Sequence, residues 1–233
     1  MQFRYLSVVL VAALALAEPA LANHPGADLD NVMSEKEQYF QKIDKPAPSF
    51  DLLDSKGQPA TLQMFSDKVV VLHFIYASCP DVCPLHAEKL AEVQRMINGS
   101  PMKDFVQFIS ITTDPQNDTA EVLNSYGPDH GLDQSNWRFL TVSPDKDEAG
   151  TRALAGAFNH KFVKADDGLQ THSVVTHVIN KNGRWAANFH GLEFGSLNLV
   201  LYINGLINNQ HSSDNLQKKE SWLEKIKGIF GLR

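Results

Sequence analysis

Apolar and polar positions along this chain fall into blocks with two different periods. Residues 69–76 are a run of apolar side chains, mostly β-branched and aromatic, interrupted only by His73, the pattern of a strand buried on both faces. Residues 105–111 repeat it. Between the two runs, Leu85, Leu90, Val93, Met96 and Ile97 recur at helical spacing over residues 83–97, and Asn98-Gly99 closes the segment. Asp118, followed by Thr119 and Glu121, reads as an N-cap with an acidic first turn that opens a helix towards Tyr126. Residues 50–53 and 139–142 are short strand-like runs, and residues 147–158 and 194–207 are helical in pattern. Residues 174–179 and 185–189 flank the turn at 180–183 and predict a hairpin. The order predicts one α/β domain over residues 46–208, with a central mixed β-sheet flanked by helices.

The two ends carry different patterns. A basic start (Arg4), an apolar run over residues 5–17 and the end Ala20-Leu21-Ala22 match a cleaved signal peptide over residues 1–22, with an uncleaved N-terminal anchor as the alternative. That run is too short for the ~20 residues a spanning helix needs. Export predicts an oxidising compartment, a bacterial periplasm. Residues 23–45 are polar with Pro, Gly and several acids, which predicts an exposed leader. Residues 209–233 read as a linker and a tail helix, with Trp222, Leu223, Ile226, Ile229 and Phe230 on one face and a local basic excess. Such a helix can lie on an anionic membrane surface or pack on its own domain. The composition adds limits: 43% hydrophobic and 21% charged residues are ordinary globular values, and the net charge of −6 argues against a nucleic-acid partner.

Candidate chemistry concentrates at Cys79 and Cys83, the chain's two cysteines. They sit four apart, where a buried strand gives way to a helix. On a helical turn their Cα atoms would lie roughly 6 Å apart, inside the disulfide range of about 4.4–6.8 Å. Free N–H groups and the dipole at a helix start favour thiolate over thiol. Two soft thiolates suit Cu(I), Zn(II) or reversible oxidation. A purely structural disulfide closing so short a loop would add little stability. Ligation by two sulfurs needs completion, and the chain has nine histidines. His24 and His211 lie in the ends, His73 lies inside a buried strand, and His177 points away from the side that His172 faces. His172, at a strand start after a polar loop, and His86, three residues past Cys83, are the candidates.

These residues also carry a resemblance. Cys79-Pro80-Asp81-Val82-Cys83-Pro84 after a hydrophobic strand, then Thr113-Asp114-Pro115 with Asp118-Thr119, then Thr171-His172-Ser173 before a strand, resemble the Sco/SenC family over residues 46–208. The resemblance implies a thioredoxin-like fold and one copper held by Cys79, Cys83 and His172. It also implies redox activity of the Cys79–Cys83 pair and a role in cytochrome c oxidase assembly. The partners it implies are an oxidase subunit as client and a thiol reductant. Asp114 is carried over as a loop acid near the site or a turn cap, and Asp81 as a cap or a tuning group. His86 stands where family members often have an acidic or small residue, which leaves it open as an additional or alternative ligand. A thiol–disulfide oxidoreductase using the same pair, or a redox or copper sensor, is the competing reading. A peroxiredoxin-like peroxidase is disfavoured, because Tyr76 stands three residues before Cys79, where that chemistry wants Thr or Ser.

Overall fold

The computed structural model describes residues 29–143, 148–160, 162–164 and 170–208. The expected strand–helix alternation is present: β4 (Val69–Ile75), α2 (Val82–Asn98), β5 (Val106–Thr112), α3 (Ala120–Asp129), β6 (Trp137–Thr141), α4 (Glu148–Ala157), the hairpin β9 (Val175–Ile179) and β10 (Arg184–His190), and α5 over residues 196–208. The expected strand at 50–53 is β2 (Asp51–Asp54), and β3 (Pro59–Thr61) pairs with it. A separate two-stranded sheet joins β7 (Phe162–Lys164) to β8 (Gln170–His172). The expected signal segment and the amphipathic tail lie outside the described residues.

The exposed leader expected at 23–45 is corrected for its second half. Residues 29–46 fold into α1 (Leu29–Lys36) and β1 (Phe40–Pro46), so the ordered domain begins well before Pro46. β1 is an edge strand paired antiparallel with β10, and most of its side chains face solvent. An edge strand with one wet face is polar in sequence, so its composition reads as a leader. Pairing and two contacts to α5 hold the segment. The buried Glu37 carboxylate accepts the backbone N–H of Gly195 at 2.8 Å and the Asn198 side-chain amide at 2.8 Å, with Tyr39 N–H at 3.1 Å. Asp30 accepts the Tyr202 hydroxyl at 2.8 Å.

The main sheet has the order β1-β10-β9-β4-β5-β6-β2-β3, with β4–β5 and β5–β6 parallel and the rest antiparallel. β4 and β5 are buried along their whole length. Because side chains alternate across a strand, β4 serves two cores. Val69, Val71 and Ile75 join the core beneath α1, α2, α3 and α5, whereas Val70, Leu72 and Phe74 face Phe50, Phe65, Phe158 and Trp185. The buried stripe of α2 differs from the expected one. Leu85 and Met96 are exposed, and His86 and Gln94 take core positions among Cys83, Ala87, Leu90, Val93 and Ile97. Gln94 is accepted there because its amide meets Asp133 and Asn136.

Replacing Glu37 with Ala strands three donors at the α1–α5 junction. The expected cost is about 2–3 kcal/mol, a fall in Tm of about 5–10 °C by thermal unfolding. An unchanged Tm would show that residues 29–46 are not part of the cooperative unit.

Candidate functional site

Three segments leave or enter the sheet at one end. β4 and β5 are parallel and finish together, with Ile75 opposite Thr112, and Thr113 N–H donates to the Ile75 carbonyl at 2.7 Å. β9 runs antiparallel to β4, with Leu72 opposite His177, so the start of β9 lies at this same end. The loop carrying Cys79, the turn carrying Asp114 and Asp118, and the segment carrying His172 are therefore neighbours by topology. His172 ends β8, opposite Phe162 of β7. The His172 side chain lies outside the described residues.

The junction from β4 into α2 places the cysteines. Both stand as buried thiols. α2 has Asp81 at its N-cap position, but the Asp81 side chain makes no capping bond and is exposed. A sulfur does that work instead: the Cys83 backbone N–H donates to Cys79 Sγ at 3.5 Å. Burial would raise the Cys79 thiol. The Asp81 N–H, the Cys83 S–H, the Cys83 N–H and the Tyr76 hydroxyl all aim at its sulfur and together bring it below the ordinary thiol value. Cys83 goes the other way. Complete burial is the largest cause, and its own S–H bond to Cys79 and the charges of Cys79 and Asp118 push its thiol up further. The pair is thus unlike: Cys79 is the sulfur disposed to carry charge, and Cys83 holds its proton.

Asp118 makes a contact beside the cysteines that the sequence pattern hid. It is not the N-cap of α3; Thr119 is, accepting Val122 N–H at 3.4 Å. The Asp118 carboxylate instead reaches Ala77, two residues before Cys79, accepting its backbone N–H at 3.2 Å on each oxygen, and it also accepts the Thr112 hydroxyl. Burial, the largest effect, pushes its carboxyl up to about 6 in spite of these donors. Asp114 takes the turn-cap role: it is 2% exposed and accepts the Asn117 side-chain amide at 2.8 Å. Only a long-range contact separates the job of Asp118 from that of Thr119, so no local pattern could have assigned it.

The reading of His86 as a further ligand is corrected. His86 is 1% exposed and turned towards the sheet, with Nδ1 at 3.4 Å from His73 Nδ1 and Nε2 at 2.8 Å from Thr176 Oγ1. His73 Nε2 lies 2.5 Å from Ser110 Oγ, which also accepts the Trp137 indole N–H at 2.9 Å. The indole can only donate, so the chain closes without conflict when Ser110 donates to His73, His73 to His86, and His86 to Thr176. One buried polar chain therefore ties α2, one turn past Cys83, to strands β6, β5, β4 and β9. Tyr76, which the sequence marks only by its place three residues before Cys79, and Tyr126 also lie near the sulfurs. His177 stands on the opposite face, with Nδ1 at 2.8 Å from Asn188 Oδ1.

The donor set fits a soft metal ion: two sulfurs in hydrogen-bond contact, Cys79 just before α2 and Cys83 in its first turn, with Cys79 disposed to be a thiolate. Among the described residues no third His, Cys, Asp or Glu converges on them. A third protein donor would come from outside those residues, where the His172 side chain lies.

Comparison with known proteins identifies the family and the fold. The family model SCO1/SenC matches residues 40–199. The mouse mitochondrial SCO2 homolog is 36% identical over 161 residues, covering 64% of this chain and 61% of its own length. The chain spans between half and about three fifths of the vertebrate mitochondrial relatives from zebrafish, mouse and human. BsSco, a member of the Sco family of cytochrome c oxidase assembly proteins with a disulfide switch, is 19% identical with a TM-score of 0.61, covering 72% of this chain and 96% of that one. Bradyrhizobium japonicum ScoI with copper bound is 24% identical with a TM-score of 0.58, covering 69% and 99%. These structures share the thioredoxin-like arrangement of a mixed sheet flanked by helices.

Asp118 makes the site pH-sensitive in a defined direction. An unperturbed aspartate titrates near 3.8 and Asp118 near 6, so between those values the folded chain holds a proton that the unfolded chain has released. Its contribution favours folding below pH 4 and is lost as pH rises to about 6, by on the order of 2–3 kcal/mol. Relative to the native chain, Asp118→Asn should therefore gain stability from pH 4 to 6 and hold a constant difference above pH 7, measured by urea unfolding. A difference that does not vary with pH would refute the raised carboxyl.

Proposed function

This chain belongs to the SCO1/SenC family, and from that premise we propose that it is an exported copper-binding protein that supplies copper, or reducing equivalents, for assembly of a copper site in a respiratory oxidase. The observation that carries the reading is the unlike pair of thiols at the start of α2, with Cys79 Sγ capping the helix. Copper is cargo here, so its ligands must both hold it and release it. Cys79 and Cys83 supply two soft sulfurs, and His172 supplies an imidazole from the segment that enters β9 at the same end of the sheet. The named relatives support the client: BsSco is grouped with cytochrome c oxidase assembly proteins, and Bradyrhizobium japonicum ScoI holds copper.

The periplasm is the compartment this reading requires, through the signal pattern at 1–22. No helix among the described residues is long and apolar enough to cross a membrane. The basic tail at 216–233 is the proposed contact with a membrane surface.

A second reading rests on the same asymmetry. A Cys79 thiolate attacks one sulfur of a client disulfide, forming a mixed disulfide and releasing one client thiolate. Cys83 then gives up its proton to the medium and attacks Cys79 Sγ, releasing the second client thiolate. The client gains two electrons, and the chain is left with a Cys79–Cys83 disulfide that an external thiol reductant must reopen. This activity needs both cysteines and no histidine.

Titration of the reduced chain with Cu(I) and Cu(II) separates the two. One copper per chain is expected, with a visible thiolate-to-Cu(II) band. His172→Ala should lose that band and bind at least about tenfold more weakly, and His86→Ala should lose far less. Equal losses in the two variants would reject His172 as the third ligand. No saturable copper site, with reversible cycling of the disulfide, would establish the oxidoreductase.

A further inference from the structure

His86 is a costly choice for the inner face of α2. The groups it meets along the polar chain, His73 and Thr176, are fully buried like itself. Apolar side chains of similar shape would need no partners there, and replacing a buried hydrogen-bonded set by such groups is often neutral for stability. What hydrogen bonds add is direction. Apolar contact holds two surfaces together without fixing how one is turned on the other, whereas a hydrogen bond weakens steeply when its angle changes.

The two ring nitrogens of His86 reach different strands. Nδ1 lies 3.4 Å from His73 Nδ1 on β4, and Nε2 lies 2.8 Å from Thr176 Oγ1 on β9. These strands are neighbours, with Val71 opposite Val178, and His73 and Thr176 each stand two residues further towards the cysteine end. His73 is itself held by Ser110 on β5, and its ring meets that of His86 edge-on at 4.7 Å between centroids. One helical side chain is thus fastened at two points on adjacent strands. The rest of the buried face of α2 is mostly apolar, through Ala87, Leu90, Val93 and Ile97. The sequence on either side of the His86–Thr176 bond gives it a use. Cys83 lies one helical turn before His86, and His172 lies four residues before Thr176. Between His172 and Thr176 the backbone is anchored, because Gly191 N–H donates to the Val174 carbonyl at 2.8 Å.

We infer that His86 and Thr176 are positioning residues for the copper site: their hydrogen bond sets how α2 is turned against β9, and with it the placement of Cys83 relative to the segment that carries His172. The inference rests on the proposed use of Cys79, Cys83 and His172 as the three donors. His86 and Thr176 act through the elements they join and do not ligate the metal. Such a constraint matters because a ligand set works only within a misplacement on the order of 0.5 Å.

Two substitutions at Thr176 separate positioning from packing. Thr176→Val keeps the shape of the side chain and removes the hydroxyl, whereas Thr176→Ser keeps the hydroxyl and removes a methyl group. In copper titrations of the reduced full chain, Thr176→Val should bind roughly two- to threefold more weakly, the low end for coupling through packed and hydrogen-bonded groups. Its thiolate-to-Cu(II) band should move and weaken. Thr176→Ser should keep the native band and affinity although the lost methyl lowers its Tm. Glu37→Ala, which loosens the α1–α5 junction instead, should also keep the native band. Thr176→Ala beside Thr176→Ser repeats the hydroxyl comparison in a smaller side chain. A native band and affinity in Thr176→Val would overturn the inference while leaving the delivery reading in place. So would a band that follows the methyl group or follows Tm across the four variants, which marks a packing role. A native chain with no saturable copper site would overturn the delivery reading and this inference together.

Discussion

Everything at this site depends on how a strand buried on both faces hands the chain to a helix within six residues. β4 cannot slip, because a one-residue shift would turn one core's side chains into the other. Its end therefore fixes the start of α2, and the free N–H groups of that start have to find acceptors. The acceptor is Cys79 Sγ. A charged sulfur accepts better than a neutral one, and a helix start favours negative charge, so the two stabilise each other. One turn on, Cys83 falls on the buried face of the same helix and experiences the opposite environment. Two identical residues four apart thus acquire different acidities from backbone geometry and depth.

Depth brings a second constraint, because the same end of the sheet also buries a carboxylate. Asp118 fastens the loop before Cys79 to the exit of β5. Its raised carboxyl is the physical cost of burying a potential charge, and that charge in turn helps push the Cys83 thiol up. A site arranged in this way resists accumulating negative charge, and a soft cation relieves that resistance. Affinity for a cation and reluctance to ionise without one are then two faces of one arrangement.

Long, strongly patterned elements were legible in the sequence. The largely apolar, β-branched and aromatic runs of β4 and β5 and the helical spacing of α2 needed no tertiary information, and the cysteine pair announced itself by position. What stayed hidden was which polar residues have partners. Leu85 and Met96 suited the core by type and lie outside it, whereas His86 and Gln94 lie inside it because Thr176, His73, Asp133 and Asn136 meet them. Asp118 and Thr119 are both good caps by type, and only a contact with Ala77, 41 positions away, tells them apart. β1 was obscured by its edge position, since a strand with one wet face carries too few apolar residues to stand out. Tyr126 reads as core packing in the sequence, and only in three dimensions is its hydroxyl seen to be buried with no partner among the described residues.

The buried chain from Trp137 through Ser110, His73 and His86 to Thr176 has an implication on an evolutionary timescale. Each member completes its neighbour, so changing any one to an apolar residue leaves a buried donor or acceptor behind. Stepwise drift away from the chain passes through less fit intermediates, while an all-apolar version of the same layer is a separate, equally self-consistent solution. Lineages should hold either the complete set or none of it, and the residues should be inherited as a block. Four strands and the cysteine-bearing helix would then share one lineage marker, recorded in side chains that never meet solvent or cargo.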